Sequence, residues 1–509
     1  MTDAQAGGIK DRSTSDHIMV LREMIKTAQN RRKPIHLVFL DVTKAYDKAW
    51  LTAIMYVLEK NGIKGKLWLM IKKLNEDLQA QIRTAYGKTR KINIRDSIRQ
   101  GGVLAPLLYA LVMDEINKEI MDKNLGIAMK TAAHIIGCLL WMDDVVLAST
   151  DSTELQQMLD ITNEITQRYH IEFGESKTKA MTIGWKSKQP KPEFNVGNMK
   201  IQHTDKYTYL GNVFNNKDNM SDHLKHMNGK VEAAYQTIMT MTGNPEFNDI
   251  EMEIIWKLLE TCIQSIMTYG GETWNTTKKE MQEINRSLDK IIKRILMTPP
   301  STPREALYIE TGLLDNEYTI SRNRINMQTR LNRTQNKLIK SARESGNKGG
   351  WEEETEETKT KMKLRKKDYK GNDLPKTIIK KRVNTAFKKN LVQTGKEKSK
   401  VMYLTQGRKK WKICQRQEYM SKLTRYQASI IFRARTRMLK FKDNFRAMYK
   451  DNTCRLCNKE KETQEHVMEC ISNKENIKIS KEEIFCNSTA VLKNTARKLK
   501  ILMEVLENS

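Results

Sequence analysis

The chain has 509 residues, 39% hydrophobic and 30% charged, and its 90 Lys and Arg against 61 Asp and Glu leave a net charge of +29 and a pI near 9.6. That length suits roughly two to four domains with cores of their own, and the charge is the footprint of a polyanionic partner, although basic membrane-surface and ribosome-associated proteins share it. A polar opening (Met1 to Arg12), apolar runs too short to span a bilayer (Val103 to Met113, Ile135 to Met142) and seven scattered cysteines argue against a secretory leader, a membrane span and a disulfide framework, so reduced thiols and an intracellular site, a cytoplasmic ribonucleoprotein or the nucleus, are expected.

Pro34 to Val42 reads as a buried strand. Pro106 to Lys123 reads as a helix. His134 to Met142 and Val145 to Ala148 read as two strands joined through Asp143-Asp144 as a hairpin. Thr153 to Tyr169 then shows Leu155, Met158, Ile165 and Tyr169 on one helical face, opened by an Asp151/Glu154 capping box. From about Ser221 the period is helical throughout. One stripe is Leu224, Met227, Val231, Tyr235 and Ile238. A second is Ile254, Ile255, Leu258, Cys262 and Ile266, stopped by Gly270-Gly271. A third is Met281, Ile284, Leu288, Ile292 and Ile295, stopped by Pro299-Pro300, after which Thr302 and Pro303 start a new helix. These Met and Ile stripes are read as core. Residues 335–410 are rich in Lys, Glu, Gln and Asn, so they are expected to bury little and to form a flexible linker or partly helical arm. Beyond them Tyr419, Leu423, Tyr426, Ile430 and Leu439 line a helix whose other face shows Arg433, Arg435 and Arg437.

The chemistry concentrates on three acids. Asp41 ends the first buried strand, and Asp143 and Asp144 sit on the turn of the hairpin. Acids among apolar strands are unfavourable unless paired or metal-bound. Adjacent strands would bring the three carboxylates together, and hard divalent cations want such oxygen ligands. Taken singly, a polar hairpin turn and a strand-end cap would account for them better.

The surrounding residues resemble the motifs of reverse transcriptases, in particular those of non-LTR (LINE-type) retrotransposons. Leu37-Val-Phe-Leu-Asp41-Val-Thr-Lys-Ala-Tyr46-Asp47-Lys-Ala-Trp50 resembles motif A, Arg99-Gln100-Gly101-Gly102-Val-Leu-Ala105-Pro106 motif B, and Trp141-Met142-Asp143-Asp144 motif C. Phe173 to Lys179 is similar to motif D, Tyr207 to Gly211 to motif E, and Gln5 to Thr14 to the finger segment before motif A. The resemblance covers residues 1–215 well and the rest more loosely. It implies that Asp41, Asp143 and Asp144 hold two Mg2+ ions, that Tyr46 is a steric gate favouring dNTPs, and that Gln100 and Gly101 line the nucleotide pocket. It further implies that Lys177 protonates the leaving pyrophosphate, that Arg12 reaches the triphosphate, and that Tyr209, Leu210 and Gly211 form a turn supporting the primer end. The sequence departs from the pattern at Met142 (usually small), Ala105 (often Ser) and Gly8 (expected Phe). It shows no counterpart of the earliest finger motif or of an endonuclease domain, which a longer precursor or a partner is expected to supply.

Near the end, Cys454-x2-Cys457-x8-His466-x3-Cys470 groups thiolates and an imidazole as a tetrahedral zinc site needs. Its interior is too polar to fold by burial, so metal would contribute folding free energy. LINE-type chains often end in a similar knuckle. Cys138, Cys262 and Cys414 lie in apolar stretches and are read as core, and Cys486 lies too far along to be a ligand.

The expected architecture is α+β: a right-hand polymerase palm with partial fingers on an antiparallel sheet (1–215), an all-α thumb (216–334), a basic low-complexity linker (335–410), and a helical nucleic-acid-binding segment with the zinc knuckle (411–509). The expected function is RNA-directed DNA polymerisation, with RNA template, DNA primer or target and dNTPs as partners and no membrane. A catalytically inactive, retroelement-derived RNA-binding protein is the alternative.

Overall fold

The structure, a computed structural model, describes all residues except 44–49, 94–97, 99–101, 130–134, 187–189, 245–249, 370–372, 407–414, 471–476 and 509. The chain forms two compact units. The first comprises Met1–His223, Thr273–Asn275 and Arg330–Glu357; the second comprises Leu224–Glu272, Thr276–Thr329 and Thr358–Ser509. Among the described residues, no helix is long and apolar enough to cross a membrane.

The first unit mixes sheet and helix. Its central sheet contains β1 (Ile35–Asp41), β2 (Cys138–Trp141), β3 (Asp144–Ser149), β4 (Lys179–Ile183), β5 (Phe194–Val196) and β6 (Met199–His203), in the order β5-β6-β4-β1-β3-β2. β1 is antiparallel to both β3 and β4, and β6 alone runs parallel to its neighbour β4. The run of β1, apolar except for His36, follows from this central place, since every residue from Ile35 to Leu40 is buried. Alternation assigns the faces. Val38, Leu40, Leu140, Val145 and Leu147 point into one core with the helices α1 (Ala105–Asp122) and α2 (Ser152–Arg168), where Leu108, Val112, Met158 and Leu159 meet them. Each such side chain stabilises the fold by about 1.5–3 kcal/mol. On the opposite face, Phe39 stacks on Tyr207 with ring centroids 4.1 Å apart.

Asp151 caps α2 by accepting from the backbone N–H of Thr153 (2.7 Å) and Glu154 (3.1 Å). The reciprocal half of the expected capping box is replaced, because the Glu154 carboxylate accepts from Ser149 and from the Gly126 N–H.

The second unit is helical. The stripe Met281 to Ile295 is borne out, with Ile284, Leu288, Ile292 and Ile295 buried on the helix Lys278–Ile295. The preceding stripe is corrected. Ile255, Leu259, Ile263 and Met267 are buried, while Ile254 and Cys262 are exposed. A π-helical turn, Leu259–Gln264, inserts extra residues into that helix and rotates its inner face away from a 3.6-residue period. Arg435 is also corrected. It lies within the core rather than on a polar face, donating to the Ile484 carbonyl (2.8 Å) and the Cys486 carbonyl (3.0 Å), with the equally buried Glu310 at 3.4 Å. Its planar fork satisfies several acceptors at once, which is what makes a buried guanidinium tolerable.

The described residues of the 335–410 stretch are more ordered than composition suggests. In the first unit Leu338, Ile339 and Trp351 are buried, and the Glu23 carboxylate accepts from the Trp351 N–H (2.6 Å), the Ser345 hydroxyl (3.0 Å) and the Asn347 amide (2.9 Å). In the second unit Ile379, Val383, Phe387 and Leu391 form the inner stripe of the helix Lys376–Gly395. Sparse apolar residues at helical spacing suffice there to give the helix an inner face.

Candidate active site

The register of the sheet brings the acids together. Asp41, the last residue of β1, pairs directly with Asp144, the first of β3. Opposed residues in an antiparallel pair have Cβ atoms about 4.5–5.5 Å apart, so the two carboxylates share one face at the strand ends. Asp143 occupies the two-residue turn between Trp141 and Asp144. Burial raises the pKa of Asp144 to about 6, and the neighbouring Asp143 and Asp41 add to the shift. Burial likewise raises Asp143, with Asp41 contributing. Negative charge is therefore crowded in a partly desolvated place.

A second segment closes on the same spot. The Thr43 N–H donates to the Glu172 carbonyl (2.9 Å) and the Gly174 N–H to the Asp41 carbonyl (2.9 Å), so residues 172–174 run alongside the end of β1. A Cβ on Gly174 would stand 3.2 Å from the Thr43 hydroxyl, which makes the position tight for a larger residue. The turn that follows places the exposed Lys177 with its Nζ 3.3 Å from both Asp41 oxygens.

The acidic turn is held from beneath and from the side. Met142 has a φ of +58°, unfavourable for a non-glycine residue. Gln5 supports it: its Oε1 accepts from the Met142 N–H (3.3 Å) and the Gly7 N–H (2.9 Å). Backbone bonds from Ala6 N–H to the Leu140 carbonyl and from Leu140 N–H to the Ala4 carbonyl, both 3.0 Å, lay this N-terminal segment along β2. The Met142 side chain lies over Gly7 and Gly8. A Cβ at Gly7 would collide with the Met142 nitrogen, and one at Gly8 would come 2.7 Å from Met142 Cε. The two departures from the motif pattern, a large residue at 142 and a glycine at 8, are thus spatial complements. Below the sheet, Tyr209 is fully enclosed, with its hydroxyl 3.4 Å from His17 Nδ1; burial lowers His17 to about 4, so the ring is neutral at physiological pH.

The second unit contains the other cluster. One ligand-type atom from each of Cys454, Cys457, His466 and Cys470 falls within 4.8 Å of the others. Asn458, at φ +53°, turns the chain just after the first pair, with the Cys454 N–H on the Glu460 carbonyl at 2.7 Å. Backbone N–H groups of Glu460 and Lys459 hold the Cys457 thiol down to about 6, whereas burial pushes Cys454 up. His466 presents Nε2 to Cys457 Sγ (3.3 Å) and Nδ1 to Glu460 (3.0 Å). A carboxylate on the outer nitrogen is the usual partner of a metal-binding imidazole.

The family model described as "Reverse transcriptase (RNA-dependent DNA polymerase)" matches residues 1–214. Residues 1–214 are a reverse transcriptase domain. The relatives place that reverse transcriptase in the non-LTR retrotransposon group. The chain is 30% identical over 210 residues to a Pol polyprotein of the R2 element of Nasonia vitripennis, covering 40% of this chain and 20% of that protein. It is 24% identical over 332 residues to an R2 polyprotein of Popillia japonica, covering 63% and 45%. It is 21% identical over 269 residues to the RNA-directed DNA polymerase of the mobile element jockey of Drosophila melanogaster, covering 51% and 28%. The chain thus spans less than half the length of each of these relatives. Among solved structures, a Candida albicans telomerase in complex with a fragment of telomeric RNA aligns at 11% identity and a TM-score of 0.35 over 58% of this chain and 52% of that one, a likeness too slight to carry an argument.

Within the reverse transcriptase domain, Asp41, Asp143, Asp144 and Lys177 come together as described. Tyr46, Gln100 and Gly101 lie outside the described residues, as does Cys414 of the expected core cysteines. Arg12 is paired with Asp3 at 3.2 Å. Leu210 and Gly211, both at positive φ, form the tight turn between the strands Lys206–Tyr209 and Asn212–Asn215. Tyr209 is buried in the core, so it supports that turn from inside and presents no surface to a primer. Cys138 is core, but Cys262 is exposed, for the π-turn carries it outward. Sequence reading assigned no role to Gln5 or His17. The Gln5 amide had a signal, since it heads the finger segment, but its partner lies more than a hundred residues away and only the fold joins them.

Proposed function

We propose that the chain is an RNA-directed DNA polymerase that extends a DNA 3′-hydroxyl along an RNA template with dNTPs. One observation carries the reading: Asp41, Asp143 and Asp144 of the reverse transcriptase domain meet at one end of the sheet. In this reading the sheet and helices of residues 1–215 are palm and partial fingers, 216–334 a thumb, 335–410 a helical connection and 411–509 a nucleic-acid-binding segment.

The acids fit a pair of Mg2+ ions. They are hard oxygen donors, and burial and mutual repulsion raise the pKa of Asp144, a strain that bound cations relieve. When bound, the ions supply charge stabilisation to the attacking and leaving oxygens of an in-line phosphoryl transfer. The protein does the rest. Gln5 and the packing of Met142 on Gly7 and Gly8 fix the acidic turn, so the carboxylates need little reorganisation. In this reading Lys177, whose Nζ lies beside Asp41 and open to solvent, hands a proton to the leaving pyrophosphate oxygen. The Cys454, Cys457, His466 and Cys470 cluster fits Zn2+ by donor type, mutual distance and the Glu460 partner of His466. The +29 charge supports binding of template and primer phosphates.

The test is extension of an annealed DNA primer on an RNA template with dNTPs and Mg2+. Extension by the wild type that is lost in Asp143→Ala/Asp144→Ala supports the reading. Salt-sensitive RNA binding without extension, equal in both proteins, would replace it with the RNA-binding alternative.

A further inference from the structure

The helical unit holds a cavity of about 450 Å³ that no role has yet claimed. Its walls are the π-helical turn Leu259–Gln264 and the residues after it, the Gly312–Leu314 turn, the helix Asn316–Leu331 and the helix Lys376–Gly395. Two independent features single it out.

The first is an uncompensated cation. Arg322 lines the cavity half-buried, and burial lowers its pKa against the pull of Glu260. Among the described residues it has no hydrogen-bond partner and no ion pair. Arg304, Arg416 and Arg435 of the same unit are each engaged, Arg304 with Asp289 and Asp315, Arg416 with Glu253 and Glu260, and Arg435 with Glu310. Glu260 is committed to Arg416 at 2.6 Å and does not neutralise Arg322. Lys380, also on the wall, has no carboxylate partner among the described residues, and the Asn323 amide beside Arg322 is equally uncommitted. A half-buried guanidinium with vacant donors favours an anion that can meet them.

The second is the π-turn itself. Such turns are locally less stable than α-helix and recur at functional sites. This one directs Glu260 and Gln264 to the cavity, and the Gln264 amide donates to the Leu314 carbonyl at 2.6 Å, tying the turn to the opposite wall. That wall is unyielding, because Gly312 sits at φ +67° with the Arg416 backbone where a Cβ would be.

We propose that this cavity is a phosphate-binding site in which Arg322, Lys380 and the Asn323 amide hold the anion. The phosphate is either a backbone diester of a nucleic-acid strand or a free phosphomonoester. Arg322 supplies planar paired donors suited to two phosphate oxygens, and Lys380 a point charge. The site is independent of the carboxylate centre and does not rest on the polymerase reading, since the measurement is binding.

The full chain is titrated with a fluorescent single-stranded DNA 12-mer over a range of salt, as wild type, Arg322→Gln, Lys380→Gln and, as a surface control, Lys290→Gln. A strand phosphate in the cavity predicts at least about fivefold weaker binding for the two cavity variants and a salt slope shallower by about 0.7 for each phosphate no longer neutralised, with the control unchanged. The other source is tested with inorganic phosphate and dAMP: a rise in Tm of the wild type that Arg322→Gln lacks identifies a free phosphate. Lys380 is exposed, so its variant separates the site from any folding defect at Arg322. Unchanged oligonucleotide affinity and slope in both cavity variants, together with equal phosphate-induced Tm shifts, would overturn the proposal.

Discussion

Asp144→Asn isolates the electrostatic strain of the carboxylate centre. Folding raises the Asp144 pKa from 3.8 to about 6, first through burial and then through Asp143 and Asp41. A rise of that size would be worth roughly 3 kcal/mol. The site is partly open and Lys177 stands nearby, so solvent screening reduces this to about 1 kcal/mol. The sign follows from linkage. A carboxyl whose folded pKa exceeds its unfolded value favours the native state while protonated, and that contribution is lost as pH rises from about 4 to about 6. The Asn variant never acquires the charge. In EDTA at pH 7.5 it should therefore unfold about 2–4 °C above the wild type, and the gap should close near pH 4. Thermal unfolding followed by circular dichroism across that range reads both. An Asn variant no more stable than wild type at pH 7.5, or one equally stabilised at pH 4, would show that the three carboxylates do not repel one another as the geometry requires.

Gly7→Ala drives a methyl group against the Met142 nitrogen, and the fold should lose about 1–3 kcal/mol in urea unfolding; a change within about 0.5 kcal/mol would mean that the N-terminal segment does not press on the acidic turn. Zinc analysis should find one equivalent in the wild type and none in Cys454→Ser/Cys457→Ser, with the variant more readily proteolysed beyond residue 440; equal zinc in both would remove the site. Arg435→Leu leaves Glu310 buried without its cation and should cost about 3–5 kcal/mol, whereas pairing it with Glu310→Leu should recover much of that loss; a double variant worse than the single would contradict the pairing.

Sequence reading reached the carboxylate centre because its signals are local. An acid ending an apolar run and a pair of acids between two apolar runs specify strand ends and a hairpin turn, and pairing of adjacent strands does the rest. The Cys/His cluster was legible for the same reason, its ligands lying within one short stretch. What escaped depends on distant partners or broken periods. Gln5 supports Met142 across the fold. The π-turn shifted the buried face of its helix from the 3.6-residue pattern, which misplaced Cys262. Arg435 looked solvent-facing because only the folded chain shows the carbonyls that surround it. Residues 335–410 looked like a linker because average composition hides a sparse stripe such as Ile379, Val383, Phe387 and Leu391. The motif read Tyr209 as part of a turn supporting the primer end, and only the folded chain shows its ring in the core beside Phe39 and His17.

The sharing of divalent ions by Asp41, Asp143 and Asp144 is open to direct measurement. Mn2+ binding to the full chain at pH 7.5, followed by electron paramagnetic resonance, should show ions that are lost in Asp41→Ala and in Asp144→Ala and weakened as pH falls below about 6, where Asp144 takes up its proton. Mn2+ binding of equal strength in the wild type and both variants would contradict it.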